Sequence, residues 1–547
     1  MEHIDKGSVV RGRQVTQSAL RVLFLLVAVA GFTAWLSFAS TRAYAPNADG
    51  ATVVLEGSAV SHGNLLLHGW SLSLDSFWTV DVLFYALGVA LIGVQPVLMH
   101  LIPALVAALC IIVASMLSGS GLANRARIFT AVIVVAALGF PSHTGAYFLL
   151  QGPWHVVTTL YCLLAALLLA RSKFDWRWFV AVGLLALGLS GDLQMLSLGV
   201  IPIFVAGLLG IARTRSFRAG LVPITAAAAA CVVALAVRLV AVAVGTFRVH
   251  ESHHTVGLSQ LTRDIGHFVN WSSALFGVHL GPISGPSIAP IFVAVRTLVF
   301  AGVAAAVVAA LIGIVLGTLR WAPDRLSRFR ENGRTGEVDH GVWRADDLLL
   351  CMTIGAIGTF GLLTLSDNPE YARYLDPVMI FGVALGARVI GRFATGFTDR
   401  KWRVSLGALV LITGLCATSS ILDTRAAPPR VPTTGLEAYL TAHHLYSGVG
   451  DYWASSIVTV NTKERVTIRP VVANASMEIV PDGRQATIDW YRNRHFAFLV
   501  YATRPHGHVN RATAERTFGR PEKIVRIGSY FVVTWPQPIL LSPHPFP

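Results

Sequence analysis

Charged residues are scarce in this sequence. Asp, Glu, Lys and Arg together make up 13% of its 547 residues, whereas 54% are hydrophobic and the mean hydropathy is +0.61. A water-soluble shell cannot cover that much apolar surface, so the composition excludes a soluble globular protein and indicates a polytopic membrane protein. The net charge of +14 comes from Lys and Arg in short connections between apolar runs, which is typical of cytoplasmic anchoring. We therefore expect no nucleic-acid partner.

Cysteines are few, and nucleotide-binding motifs are missing. The five cysteines are odd in number and lie in apolar segments, which argues against a disulfide framework and against a thiolate metal site. The sequence has no P-loop, no G-x-S-x-G elbow and no G-x-G-x-x-G motif that leads into a cytoplasmic helix. These absences argue against an ATP-driven pump and against a nucleotide-sugar enzyme with a Rossmann domain.

About eleven apolar stretches are long enough to cross roughly 30 Å of hydrocarbon. They lie near residues 18–39, 95–117, 127–141, 154–171, 176–190, 195–212, 219–244, 289–318, 347–366, 377–394 and 403–421. We interpret the apolar region 82–94 as an interfacial helix before the second crossing. The first stretch is longer than a signal-peptide core and has no clear cleavage site, so we expect a retained span.

The basic residues predict the orientation of these spans. With the N-terminus in the cytoplasm, the inner connections are the segments rich in Lys and Arg: 124–127, 171–177, 213–218, 320–344 and 391–403. This distribution follows the positive-inside rule. The long first loop (40–94) and the C-terminal region then lie outside a plasma membrane.

The composition changes after Leu422, so we expect two domains: a transmembrane module (1–422) and an extracytoplasmic soluble domain (423–547). The segment 435–445 is typical of a short helix. Five β-branched and aromatic segments are typical of strands, namely 454–462, 465–472, 495–502, 523–527 and 530–536. The expected fold class is therefore a polytopic α-helical membrane protein with a C-terminal extracytoplasmic α/β domain.

Candidate site residues concentrate in the first outer loop. It contains four acids and two histidines: Asp49, Glu56, Asp75, Asp81, His62 and His68. Asp49 follows the first span by about ten residues and is flanked by turn-forming residues, so a turn would hold its carboxylate at the membrane surface. A carboxylate placed there suits a general base for a hydroxyl acceptor. The competing interpretation is that Asp49 caps the helix that follows.

Three further residues on the predicted outer side are candidates for binding or catalysis. Arg373, in EYARYLDP, could bind a lipid-linked phosphate through its planar guanidinium; alternatively, it is an interfacial anchor together with Tyr371 and Tyr374. Asp192 lies between two closely spaced spans, and it either faces a polar cavity or caps the next helix. His155 begins a span beside a tryptophan, which fits either interfacial packing or catalysis.

The sequence HESHH (250–254) contains three histidines and a glutamate. Its spacing matches none of the specific zinc motifs. We therefore predict no metal site there and expect a solvated outer loop.

An acid shortly after the first span, about eleven spans, an RYLDP element before a late span and an outer C-terminal domain together resemble the GT-C superfamily of integral membrane glycosyltransferases. The resemblance is to enzymes that use polyprenyl-phosphate sugars, related to protein O-mannosyltransferases and actinobacterial cell-envelope mannosyl- and arabinosyltransferases. It implies an inverting transfer to a hydroxyl of a glycan, lipid or protein, with Asp49 as the base, Arg373 and Tyr374 at the donor phosphate, and membrane lipid around the enzyme.

The sequence departs from these relatives at one position. Many of them have an Asp-Glu pair in the first loop, whereas Asp49 is followed by Gly50. Glu56, Asp75 or Asp81 could supply the second acid, with His68, His155 and Asp192 in support. No cofactor is firmly indicated, and the resemblance leaves a divalent cation open. Two other functions remain as alternatives: a flippase for a lipid-linked saccharide, or a non-catalytic scaffold of envelope assembly.

Overall fold

The computed structural model describes residues 6–73, 75–171, 173–249, 261–278, 289–319, 340–363, 369–504 and 507–541. The HESHH cluster (250–254) lies outside the described residues, as does most of the arginine-rich connection 320–344.

The chain is mostly helical. In chain order the helices are α1 (Lys6–Ala43), α2 (Ala48–Ser61), α3 (Asp81–Ile92), α4 (Leu98–Ser118), α5 (Asn124–Val134), α6 (His143–Leu149), α7 (Val156–Leu169), α8 (Trp176–Gly191), α9 (Ile201–Thr214), α10 (Phe217–Ala243), α11 (Leu261–Leu275), α12 (Pro290–Leu319), α13 (His340–Leu363), α14 (Asp376–Ala394), α15 (Asp399–Asp423), α16 (Thr434–Ala442), α17 (Tyr452–Asn461) and α18 (Arg511–Phe518).

A polytopic membrane protein is confirmed. In the part of the chain that the structure describes, eight helical spans are long and apolar enough to cross a membrane, or nine if the bent pair 124–139 and 143–149 forms one span. Helices α7 and α8 occupy two further predicted stretches but are shorter apolar helices. Each of the eleven predicted stretches therefore coincides with a helix. Three of them are not full spans by themselves: 127–141 belongs to the bent pair, and α7 and α8 are too short.

The first outer loop is itself structured. It consists of α2, the short strand β1 (Trp70–Leu72) and α3. Helix α3 is the separate 12-residue helix that the apolar region 82–94 indicated. Gly57 lets α2 and α3 approach closely, because a Cβ atom at this position would lie 2.8 Å from backbone atoms of Tyr85 and Ala86.

The C-terminal domain contains a six-stranded mixed sheet. In chain order the remaining strands are β2 (Arg248–Val249), β3 (Ser447–Gly450), β4 (Thr467–Ala473), β5 (Ile479–Pro481), β6 (Ala486–Thr487), β7 (His495–Ala502), β8 (Lys523–Ile527) and β9 (Tyr530–Leu540). The sheet order is β5-β4-β3-β7-β9-β8. Strand β3 runs parallel to both β4 and β7, and the other pairs are antiparallel. The expected α/β character of this domain is confirmed.

One predicted strand is wrong. The segment 454–462 belongs to helix α17, whose first turn is capped by Asp451 through a hydrogen bond from Ala454 N. Ile457 is buried in the core of the membrane module, whereas Val458 is buried in the core of the outer domain. A helix presents successive residues to these two cores, and the burial outweighs the strand preference of β-branched side chains.

A second, three-stranded sheet joins distant parts of the chain. Strand β1 of the first loop pairs in parallel with β2 and antiparallel with β6 of the C-terminal domain. The register places Trp70 opposite Thr487 and Ser71 opposite Ala486. Backbone hydrogen bonds therefore fix the first outer loop to the C-terminal domain.

Replacing Gly57 with Ala should destabilise the protein by about 1–3 kcal/mol, because the added methyl group would overlap the backbone of α3. Denaturant titration in detergent micelles measures this loss. Gly183→Ala is the matched control, since that glycine also lies in a helix and a Cβ atom there has no neighbour within 4 Å. Equal stability of the two variants would contradict the close packing of α2 on α3.

Candidate active site

Asp49 lies in the first turn of α2 and is half-buried. It does not cap this helix, because the cap is Asn47, whose side chain accepts a hydrogen bond from Gly50 N at 3.0 Å. One carboxylate oxygen of Asp49 instead accepts a hydrogen bond from the hydroxyl of Tyr452 at 2.7 Å. The carboxylate therefore faces the C-terminal domain and is available for chemistry at this junction.

Arg373 lies in the 3-10 helix Pro369–Leu375, directly before α14. Three aromatic rings surround its guanidinium carbon, with ring centroids 5.1 Å away for Trp154, 5.3 Å for Tyr374 and 6.0 Å for Tyr371. Its buried Nε has no hydrogen-bond partner among the described residues. Cation–π contacts of this kind hold the guanidinium in place without occupying its N–H groups, so it can still donate to an anion.

The loop 150–155 connects the first-loop acid with the late arginine. A Cβ atom on Gly50 would lie 3.2 Å from the carbonyl oxygen of Gly152, so the residue after Asp49 packs against this loop. Two residues further on, Trp154 contacts Arg373. Tyr44, at the end of the first span, fixes the loop by donating to the carbonyl of Leu150 at 2.7 Å. Asp49 and Arg373 therefore flank the same short segment.

A buried ion pair follows directly in this loop. The Nδ1 atom of His155 lies 2.8 Å from a carboxylate oxygen of Asp192, and Thr158 donates to that same oxygen. Burial opposes both charges, but the attraction of the pair outweighs it: the pKa of His155 is raised, and the pKa of Asp192 is lowered. The imidazole also stacks on Tyr374, with ring centroids 5.7 Å apart. It therefore lies next to the aromatic rings that surround Arg373.

Asp75 joins this group from the first loop. The segment around it docks on the end of α8, where Phe77 N donates to the carbonyl of Gly191 at 2.8 Å. One oxygen of Asp75 accepts from Leu193 N at 3.3 Å. The ligand atoms of Asp75, His155 and Asp192 lie within 4.8 Å of one another.

These three residues do not fit a metal ion as they stand. A histidine ligand must offer the lone pair of one ring nitrogen. Both nitrogens of His155 are already engaged, Nδ1 with Asp192 and Nε2 with the amide of Gln194 at 2.9 Å. The arrangement is that of an ion pair with a hydrogen-bonded neighbour, and a cation would have to displace these contacts.

Asp81 lines a small cavity of about 10 Å³, roughly the space that one water molecule needs. One oxygen of Asp81, the Tyr85 hydroxyl and the amide oxygen of Gln151 line it without a hydrogen-bond partner among the described residues. Burial and the charge of Asp192 raise the pKa of Asp81 to about 7, against the attraction of His155. Trp154 also lines this cavity. The cavity therefore lies next to the aromatic rings that surround Arg373.

The structure places the other first-loop candidates differently. Glu56 is buried on α2, neither of its carboxylate oxygens has a partner in the described chain, and burial together with Asp81 raises its pKa well above the usual range. It is therefore a buried group whose charged form is disfavoured, rather than an exposed acid. His68 is exposed and binds the carbonyl of Gly245 at 2.5 Å, so it fastens two loops together and lies outside this cluster.

Sequence reasoning did not single out four residues that the structure brings to the site. Trp154 and Gln194 adjoin the candidates His155 and Asp192 in sequence, and this adjacency was the only available signal. Tyr85 lies one helical turn after Asp81, which could have placed the two on one face. Tyr452 had no signal at all, because it lies about 400 residues after Asp49.

The fold can be compared with known structures. ArnT from Cupriavidus metallidurans in the apo state matches with a TM-score of 0.50 and 13% identity, over 95% of this chain and 98% of that chain. The two chains therefore share an overall fold.

A second solved structure is less similar. AglB, an archaeal oligosaccharyltransferase from Archaeoglobus fulgidus in complex with an inhibitory peptide and a dolichol-phosphate, has a TM-score of 0.45 and 11% identity over 88% of this chain and 70% of that chain. No family model and no curated protein matches the sequence.

Replacing Asp81 with Asn should make the stability of the folded protein less dependent on pH. A raised carboxyl pKa stabilises the folded state at low pH, and that stability is lost as the pH rises through about 7. We expect the wild type to melt at a lower temperature at about pH 8.5 than at about pH 5, and the variant to lose part of this decline. Thermal unfolding in detergent measures the difference.

Asp489→Asn is the control for this experiment, because the Asp489 side chain is 61% exposed and far less desolvated. It should follow the wild-type pH dependence. If Asp81→Asn also follows the wild type, Asp81 is ionised in the folded state without penalty, and its placement in the cavity is wrong.

Proposed function

We propose that this protein is an inverting glycosyltransferase that moves a sugar from a polyprenyl-phosphate donor to a hydroxyl of a glycan, lipid or protein acceptor. The transfer takes place on the outer face of the plasma membrane, with the N-terminus in the cytoplasm. The GT-C fold supports glycosyl transfer. The observation that carries the proposal is the loop 150–155, which is flanked by the Asp49 region on one side and by Arg373 on the other.

Asp49 is the general base of this reaction. As the acceptor oxygen attacks the anomeric carbon, its proton passes to the free oxygen of the Asp49 carboxylate. A new glycosidic bond forms while the bond between the anomeric carbon and the phosphate oxygen breaks. Because attack and departure occur on opposite faces of one carbon, the configuration inverts. The polyprenyl phosphate leaves with the electron pair.

Arg373 stabilises the leaving phosphate. Charge develops on the phosphate oxygens as the bond breaks, and fixed cationic donors stabilise it without reorganisation. Three aromatic rings preposition the guanidinium, and its Nε has no partner in the described chain. His155 lies beside this group of aromatic rings, since its imidazole stacks on the ring of Tyr374. A phosphate bound there would meet the fixed positive charge of Arg373.

Asp49→Asn should abolish sugar transfer, because an amide cannot accept the acceptor's proton. The measurement is release of polyprenyl phosphate from polyprenyl-phosphate mannose and polyprenyl-phosphate arabinose by the purified protein with cell-envelope glycans as acceptors. Binding of polyprenyl phosphate alone should stay within about two-fold of wild type, since Asp49 does not touch the phosphate. Full transfer by both Asp49→Asn and Asp49→Ala would remove Asp49 as the base.

Arg373→Ala should weaken binding of polyprenyl phosphate by about 10-fold to 100-fold, which is typical for the loss of a charge-assisted hydrogen bond. Arg373→Lys should retain part of the affinity, because it keeps the charge but loses the planar donor set. Calorimetric titration in detergent measures both affinities. The control is Arg248→Ala, which removes an exposed arginine in a short strand. Equal losses in the two alanine variants would show a general charge effect and contradict the phosphate site.

A further inference from the structure

The C-terminal domain reaches the first-loop acid through one side chain. Tyr452 is the first residue of α17 and is buried. Its hydroxyl lies 2.7 Å from a carboxylate oxygen of Asp49 and 2.7 Å from the side-chain amide of Gln485. Both Tyr452 and Gln485 belong to the C-terminal domain, whereas Asp49 belongs to the first outer loop.

Two contacts of the helices hold this hydroxyl in place. Helix α17 packs on α2, where the buried hydroxyl groups of Thr52 and Ser456 bond at 2.8 Å. The cap from Asp451 fixes the start of α17, because its carboxylate accepts from Ala454 N at 3.1 Å and from Ala502 N at 2.8 Å. The contact with α2 and the cap at Asp451 therefore both fix the position of Tyr452.

The sheet between β1 and β6 adds an independent anchor. Its strands pair Trp70 with Thr487, and the rings of Trp70 and Trp490 meet edge to face at 5.1 Å. The hydrogen bonds of β6 also fix the chain next to Gln485. The contact with Asp49 is thus part of an extended interface. The packing of α17 on α2, the pairing of β1 with β6 and the contact of Trp70 with Trp490 all fix the C-terminal domain relative to the first loop.

The phenol of Tyr452 remains a donor throughout the working pH range. Burial raises its pKa well above the usual range, and the charge of Asp49 raises it further. The hydroxyl has a single proton, and an ionised carboxylate is a stronger acceptor than an amide. The proton therefore points to Asp49. The amide of Gln485 can turn its NH2 toward the phenolic oxygen, because its two ends are nearly identical in shape.

We infer that Tyr452 is a positioning residue for glycosyl transfer: it holds one oxygen of Asp49 in a hydrogen bond and leaves the other free to take the acceptor's proton. The C-terminal domain is then a part of the active site and not only an accessory that binds glycans. A hydrogen bond donated to a carboxylate favours its charged form, so loss of this bond can be detected by its dependence on pH. This inference rests on the proposed role of Asp49.

The charged groups around this contact come from several elements. Glu56 lies further along α2, where an ionised carboxylate would oppose ionisation of Tyr452. Asp451 precedes Tyr452 and is buried in its capping role. Burial raises the pKa of Glu56 and so disfavours its charged form. The direct bond from Tyr452 is therefore the contact with the Asp49 carboxylate that the test addresses.

The test is Tyr452→Phe, which keeps the ring and removes only the hydroxyl. We expect the turnover of polyprenyl-phosphate sugar to fall by about 10-fold or more, and the acid limb of the pH–rate profile to move up by about one pH unit. The KM for the donor should stay unchanged, because Tyr452 does not contact the phosphate site. Gln485→Leu should shift the acid limb in the same direction by a smaller amount.

A second readout does not depend on activity. The protonated carboxyl band of Asp49 is identified by infrared difference spectroscopy as the band that Asp49→Asn lacks. In Tyr452→Phe its titration midpoint should rise by about one pH unit. Tyr439→Phe is the matched control, since this tyrosine lies in α16 of the same domain and stacks on His443; it should leave the band, the turnover and the melting temperature unchanged.

The outcomes separate the two proposals. If Asp49→Asn retains transfer, the proposed base is wrong, while the infrared titration still decides whether Tyr452 acts on the carboxylate. If Asp49→Asn is inactive but Tyr452→Phe leaves both the infrared midpoint and the acid limb in place, the inference is wrong and the proposed function stands. A lower turnover with unshifted pH behaviour would show a merely structural tyrosine and would also overturn the inference.

Discussion

The buried ion pair between His155 and Asp192 joins the parts on which the outer site depends. His155 is the last residue of the loop 150–155, and Asp192 ends α8. Two charges away from water are stable only when they are paired and hydrogen-bonded, and here Thr158 and Gln194 complete the bonding. The pair therefore fixes the loop, the docking of the first outer loop near Asp75 and the stacking of Tyr374 in a single arrangement.

Three kinds of contact fix the C-terminal domain to the first loop. The domain adds strand β6 to β1, inserts α17 against α2 and places Tyr452 on Asp49. Helix α17 has to satisfy two cores at once, since Ile457 faces the membrane module and Val458 faces the outer domain. A movement of the C-terminal domain would therefore also move Asp49. The candidate site depends on the contact between this domain and the first loop, and neither of them forms it alone.

The glycine after Asp49 has a structural reason. The resemblance drawn from the sequence implies a second acid at this position, but a Cβ atom here would lie only 3.2 Å from the carbonyl oxygen of Gly152. A carboxylate pressed against a carbonyl would be repelled and poorly solvated. The space is used instead for close packing of the first loop on the loop 150–155. Two of the other first-loop acids are withdrawn from solvent: Glu56 has no partner in the described chain, and Asp81 faces a cavity.

The sequence by itself determined the membrane class, the position of every long helix and the α/β character of the C-terminal domain, because hydrophobic length and the composition change at Leu422 are local properties. It also drew attention to Asp49, Arg373, His155 and Asp192 through their places next to spans. Only the tertiary structure decided which of these side chains meet. Asp49 and Tyr452 are about 400 residues apart in the chain, and no local pattern relates them; the same holds for the rings around Arg373. The strand predicted at 454–462 failed for the same reason, since its helical form depends on two cores that only the folded chain brings together.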